Sequence, residues 1–175
     1  MVIAGTLFFL INKEDIKPDF SQDYLSLGNV YFQKGQYDNS LEAYKKSLFL
    51  NYKHAPFAYS GIGNVFYVRK LYNQALFMYN KALLLDPNCA EYHFNIGTVY
   101  YKQGLWDKAL LKFKRAIELN ALYSEAHYDL GMVYYKKRLY EKAIHEFKEV
   151  IKIDPDHIKA SYALNLVDRE NMLQQ

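Results

Sequence analysis

The chain has 175 residues, 51% of them hydrophobic, with 18 tyrosines and 11 phenylalanines. That is enough apolar surface for one sizeable core or one repeat array, and it excludes a disordered tail. A formal net charge of +3 with acids and bases interspersed lacks the one-sided basic bias of a dedicated nucleic-acid binder, so no nucleic acid is expected as a partner. In chain order, residues 1–20 come first, and Met1–Ile11 carries no charged side chain. This stretch is shorter than the roughly 20 apolar residues a spanning helix needs, and it lacks the basic start and small-residue cleavage site of a secretory signal. It reads as a hydrophobic lead-in that packs on the first repeat. The alternative is the remnant of a membrane anchor or export signal.

From residue 21 onward the sequence repeats itself. Gly28, Gly63, Gly97 and Gly131 are spaced by 35, 34 and 34 residues. The same steps link Tyr37, Tyr72, Trp106 and Tyr140, then Ser40, Ala75, Ala109 and Ala143, then Tyr44, Tyr79, Phe113 and Phe147. The one insertion falls around Asn51–Pro56, in a predicted turn, where an extra residue is best tolerated. The repeats are therefore 21–54, 56–89, 90–123 and 124–157, and places within each are counted from Ser21, Pro56, Ala90 and Ser124.

Each repeat reads as two helices. The first has apolar residues at helical spacing, as in Phe94, Ile96, Gly97, Tyr100 and Tyr101. It stops at Gln33-Lys34-Gly35 or Lys102-Gln103-Gly104, where glycine accepts a left-handed cap. Lys70 and Arg138 hold that place elsewhere, and the same backbone would strain each by about 1 kcal/mol. The second helix runs through segments such as Trp106–Leu119, and Pro87 and Pro155 end it after Asp86 and Asp154. Glycine at place 8 and a small residue at place 20 let the two helices approach. The aromatic at place 24 fills the space toward the next hairpin, and small Ser47, Ala82 and Ala116 let that hairpin dock. One hairpin cannot bury its own apolar face, so the units must stack. Residues 158–175 restart the first-helix pattern with Ile158, Tyr162, Leu164, Leu166 and Val167, a terminal capping helix with one face on the fourth hairpin and one face wet.

These columns, with Leu27-Gly28…Tyr31, Ile96-Gly97…Tyr100 and Leu130-Gly131…Tyr134 and the alanine, aromatic and proline places after them, resemble the tetratricopeptide repeat family over residues 21–157. The pattern departs at place 4, where His93 and His127 follow Tyr24 and Tyr59, and at the proline place, which holds Tyr52 and Ala121. The resemblance implies an all-α, right-handed superhelical solenoid of four hairpins plus a C-terminal capping helix. It also implies a protein–protein interaction scaffold that binds a peptide or helix of a partner in a concave groove lined by the first helices. Carried over place by place, the groove residues would be Asn29 and Phe32, Asn64 and Tyr67, Phe94, Asn95 and Tyr101, and Tyr128, Asp129 and Tyr135. Some family members clamp a peptide carboxylate with lysines and arginines. Here Leu25, Glu91 and Asn95, or in the other frame Ser60, Glu125 and Asp129, stand at those places, and acids there would repel such a tail. The acids favour a basic residue instead, while the aromatic stripe Phe32, Tyr67, Tyr101 and Tyr135 offers a ledge for an apolar anchor.

Chemistry that would mark an enzyme is missing: no glycine-rich phosphate loop, no G-x-S-x-G and no H-E-x-x-H occurs. Neither a catalytic role, a cofactor nor a metal is expected. His93 and His127 lie on successive first helices about 8–10 Å apart, too far to share a zinc ion bound at about 2 Å, and read as packing residues. The lone Cys89 permits no internal disulfide, which fits a reducing compartment and favours a cytoplasmic place over export or anchoring. A convex basic patch, Lys108, Lys112, Lys114 and Arg115, reads as a solvated face. The alternative function is a self-associating or membrane-tethered assembly module acting through Met1–Ile11, with membrane contact and a homo-oligomer as its consequences.

Overall fold

The computed structural model describes residues 20–173. The expectations placed on Met1–Ile11 fall outside the described residues. Among the described residues nine α-helices succeed one another: α1 (Ser21–Gln33), α2 (Tyr37–Leu50), α3 (Ala55–Val68), α4 (Tyr72–Leu85), α5 (Ala90–Lys102), α6 (Trp106–Leu119), α7 (Ser124–Lys136), α8 (Tyr140–Ile153) and α9 (Ile158–Met172). No strand occurs among the described residues. The inserted residue is absorbed by a 3-10 turn over Tyr52–His54, where the Asn51 side chain accepts from the Lys53 N–H.

The turn inside every hairpin is built the same way. The N–H of Gly35, Lys70, Gly104 and Arg138 donates to the carbonyl three residues back, and the N–H of Gln36, Leu71, Leu105 and Leu139 donates to the carbonyl five back. This double closure satisfies the last helical carbonyls and requires one left-handed residue. Gly35 and Gly104 supply it at φ 71° and 74°, while Lys70 and Arg138 are held there at 60° and 57° despite their β-carbons.

α1 with α2, α3 with α4, α5 with α6 and α7 with α8 form the hairpins, and each second helix then packs on the next first helix. Short turns make sequential helices antiparallel. The place-24 ring occupies the joint. A β-carbon on Gly28, Gly63, Gly97 or Gly131 would come within 2.5, 2.5, 2.7 and 2.7 Å of Tyr44, Tyr79, Phe113 and Phe147 respectively. The place-8 glycine therefore admits a ring. The backbone approach itself is read at place 20, where the Ser40 hydroxyl donates to the Gly28 carbonyl at 2.8 Å. Tyr44 also reaches the next hairpin, since a β-carbon on Gly61 would lie 2.4 Å from it. Burial repeats in step with these columns, and the cores of successive hairpins run into one another along the stack.

α9 docks as a ninth layer, and of the expected apolar face Val167 and Leu164 pack on the fourth hairpin while its N-terminal part does not. Ala160, Ala163 and Val167 are buried, whereas Ile158 and Tyr162 are exposed. On α5 and α7 the place-5 rings are covered by aromatics of their own hairpin, Phe94 by Phe113 and Tyr128 by Phe147. No second helix comes after α9 among the described residues to cover Tyr162 in the same way.

Candidate partner-binding groove

The first helices share one face, and their side chains line a common trough. Phe32, Tyr67, Tyr101 and Tyr135 are half-buried, each leaning on the aromatic that opens its own second helix. Ring centroids are 5.7 Å apart for Phe32–Tyr37, 6.1 Å for Tyr67–Tyr72, 5.2 Å for Tyr101–Trp106 and 6.1 Å for Tyr135–Tyr140. The stripe is thus one aromatic pair repeated four times, which fixes each ring's orientation and keeps one face accessible.

Two hollows lie on this face. One of about 250 Å³ is lined by Phe32, Asn64, Tyr67, Val68, Tyr79, Phe94, Asn95 and Thr98 and spans α1, α3, α4 and α5. The other, about 380 Å³ and mainly apolar, is lined by Tyr128, Met132, Tyr135, Phe147 and the α9 residues Ile158, Lys159, Tyr162, Ala163, Leu166 and Val167. The α9 wall is not among the residues expected from the repeat places. A signal for it was present, because Tyr162 and Leu166 hold places 5 and 9 of a first helix when counting restarts at Ile158.

The asparagines differ from what their places imply. Asn29 and Asn64 do not present free amides: their Oδ1 atoms accept from the Tyr44 and Tyr79 hydroxyls at 2.7 Å each. Each oxygen thus has one acceptor site already taken, and Asn29 lies outside both hollows. Asn95 sits on the first hollow's wall, with Nδ2 buried and without a hydrogen-bond partner among the described residues.

Asp129, beside Tyr128 on α7, lines neither hollow and is only partly exposed. Burial lifts its carboxyl to about 6; the positive charge of Lys102 opposes this and Glu125 adds to it. No hydrogen bond or ion pair holds it among the described residues. Its charge reaches the phenols of Tyr67, Tyr101, Tyr123 and Tyr128, whose acidity is weakened first by burial and then by that carboxylate and its neighbours. An acid thus sits among aromatic rings along the trough. Tyr123, in the turn before α7, packs on Phe94 at 5.0 Å.

The two histidines do different work, and neither simply fills space. His127 has two acceptors, Glu146 Oε2 at 2.7 Å from Nδ1 and the Ala121 carbonyl at 3.1 Å from Nε2. With Glu146 ionised this arrangement favours the protonated ring, in which both nitrogens donate, and the Glu146 bond raises its pKa. His93 has the Pro87 carbonyl on Nε2 and a buried, unpartnered Nδ1, and burial lowers its pKa. Both tie an inter-repeat turn to a first helix. No group of three or more metal-ligating side chains exists among the described residues. On the convex side, Lys108 stands over the Tyr100 ring at 5.6 Å and Arg115 pairs with Glu118 at 2.9 Å. No helix among the described residues is long and apolar enough to cross a membrane.

Models of the tetratricopeptide repeat match residues 24–54, 63–104 and 96–158. Among solved structures, a crystal structure of MamA shares 27% identity over 90% of this chain and 85% of that one, with a TM-score of 0.75. YrrB, described as a TPR protein with an unusual peptide-binding site, shares 28% identity over 88% of this chain and 79% of its own, with a TM-score of 0.69. PilF of Pseudomonas aeruginosa, 21% identical over 87% of this chain and 69% of that one, shares the fold at a TM-score of 0.80. No curated protein matches the sequence.

Proposed function

Because the chain belongs to the tetratricopeptide repeat family and folds as a helical solenoid, we propose that it is a scaffold that holds an extended or helical segment of a partner protein along its first-helix trough. The segment would carry an apolar anchor seated among Phe32, Tyr67 and Phe94, or against Tyr135, and a lysine or arginine over Asp129. The observation that carries this reading is Asp129, a carboxyl half-withdrawn from water, unpaired among the described residues, and close enough to Tyr67, Tyr101, Tyr123 and Tyr128 for its charge to weaken their acidity. Withdrawing an acid from water costs stability unless a cation compensates it, and a bound base would do so. Tyrosine faces add cation–π attraction at the same spot. The peptide-binding site attributed to YrrB supports the general mode, but this chain's acids make its own preference. The reading is of a non-catalytic protein, in keeping with the role typical of the family.

Short fluorescent peptides that differ in one central residue test it. Binding should rank lysine above glutamine above glutamate, and Asp129→Asn should weaken the lysine peptide about tenfold or more. Below about pH 6 the carboxyl is neutral, so the advantage of lysine should fade there. The same variant should stabilise the free protein. An acid whose folded pKa is raised above its unfolded value of 3.8 loses stability as pH climbs through that window, so Asn should raise the midpoint of thermal unfolding at pH 7 and lose this gain near pH 4. Equal binding of all three peptides would overturn the assignment.

A further inference from the structure

Place 4 of each repeat lies near place 26 of its own second helix. Lys46 stands 5.6 Å from the centre of the Tyr24 ring, and Lys81 stands 5.2 Å from that of Tyr59. In the third repeat these places hold His93 and Arg115, and in the fourth His127 and Glu149, each histidine within reach of the other's charge. The sign of that charge therefore reverses at the last hairpin. Place 23 reverses with it: Lys112 acts on His93, whereas Glu146 bonds His127.

Apart from this reversal the two histidines are alike. Both are 8% exposed. Each turns Nε2 to the place-32 carbonyl of the turn before its helix, Pro87 for His93 and Ala121 for His127, at 3.1 Å in both cases. A neutral ring with its proton on Nε2 suits His93, whose buried Nδ1 has no partner among the described residues. The same ring does not suit His127. Its contacts to Glu146 Oε2 at 2.7 Å and to the Ala121 carbonyl need two protons between ring and carboxyl. A neutral ring beside an ionised carboxylate holds only one, so a lone pair then faces either the carboxylate or the carbonyl.

The surroundings of His127 supply no other donor to replace that proton. From α8 it faces Glu146 and Glu149, both acids. From α6, Ala109 and Phe113 share a core with Leu130 and Val133 and carry no charge, and α5 adds the phenols Tyr100 and Tyr101 to that core. The turn before α7 offers the Ala121 carbonyl, an acceptor.

We propose that His127 and Glu146 form a proton-held latch: the proton they share ties the turn before α7 to α8, and its loss frees that turn and loosens the joint between the third and fourth hairpins. The same turn carries Tyr123, whose ring packs on Phe94 at 5.0 Å, so the latch also holds the seam of the trough at this joint. The direction of the response follows from linkage. The bond to Glu146 raises the pKa of His127 above 6.5 against the opposing effect of burial. The stability it contributes is fully present below pH 6.5 and is lost as pH rises through the folded value. His93 behaves in the opposite sense, because burial, reinforced by Lys112 and Arg115, lowers its pKa and its contribution is lost as pH falls.

The test follows the imidazole nitrogens of the full chain by NMR between about pH 5 and pH 9, with His127→Gln and His93→Gln to assign the signals. His127 should titrate above 6.5 and His93 below it. Thermal unfolding supplies the second reading. The midpoint of the unaltered chain should fall, relative to that of Glu146→Gln, as pH rises above 6.5. A glutamine amide donates to Nδ1 where a carboxylate has no proton to give, so the neutral ring satisfies every contact in the variant and the fall is lost. A His127 midpoint at or below 6.5 would overturn the proposal, and that measurement stands on the unaltered chain even if Glu146→Gln does not fold. An equal fall in Glu146→Gln would overturn it as well.

Discussion

A β-carbon decides the fate of two kinds of position here, and in opposite directions. Lys70 and Arg138 sit at positive φ in the hairpin turns that Gly35 and Gly104 fill elsewhere. A left-handed residue with a side chain is strained by about 1–2 kcal/mol, of which glycine's extra chain entropy returns part. Lys70→Gly and Arg138→Gly should therefore each stabilise the protein by about 0.5–1 kcal/mol in chemical denaturation. Gly63 is helical and needs no special backbone, yet its absent β-carbon is where the Tyr79 ring lies, at 2.5 Å. Gly63→Ala should cost about 1–3 kcal/mol in the same measurement, through overpacking. Both classes are visible as glycine columns in the sequence. Which glycine serves a turn and which serves a ring is clear from place in the repeat, whereas the identity of the ring's second neighbour, Gly61, is not.

Pairs of elements carry a second regularity. In the first two hairpins a place-24 tyrosine donates to a place-9 asparagine, Tyr44 to Asn29 and Tyr79 to Asn64. In the last two, place 24 is phenylalanine and place 9 is Thr98 or Met132. Thr98 then turns its hydroxyl to the Phe94 carbonyl at 3.1 Å. The two columns change together because a half-buried hydroxyl needs an acceptor and a phenyl ring needs none. Phe113→Tyr alone should lower stability by about 1–2 kcal/mol, and adding Thr98→Asn should recover most of it, a coupling that a double-mutant cycle measures directly. Place on the inner face assigns these asparagines to a ligand. Their first partner is instead across the hairpin, at a separation of 15 residues, which a place-by-place reading of one helix cannot see.

At the scale of the whole molecule, stability in a stack is carried by neighbours, so it is greatest where a layer is covered on both sides. Native-state hydrogen exchange should be slowest in α5, α6 and α7 and should quicken toward α9, which is covered on one side among the described residues; protection uniform along the chain would contradict that order. The sequence by itself determined the repeat, the helical hairpins and the turn residues. All of these arise from local periodicity and from the backbone demands of glycine and proline, which act within a few residues. The tertiary structure alone decided which polar groups are already occupied, that Asp129 is left without a partner near tyrosines among the described residues, and that His127 is held between Glu146 and a carbonyl. Those outcomes depend on side chains brought together from different helices, and their energies come from desolvation and pairing at distances that no repeat period encodes.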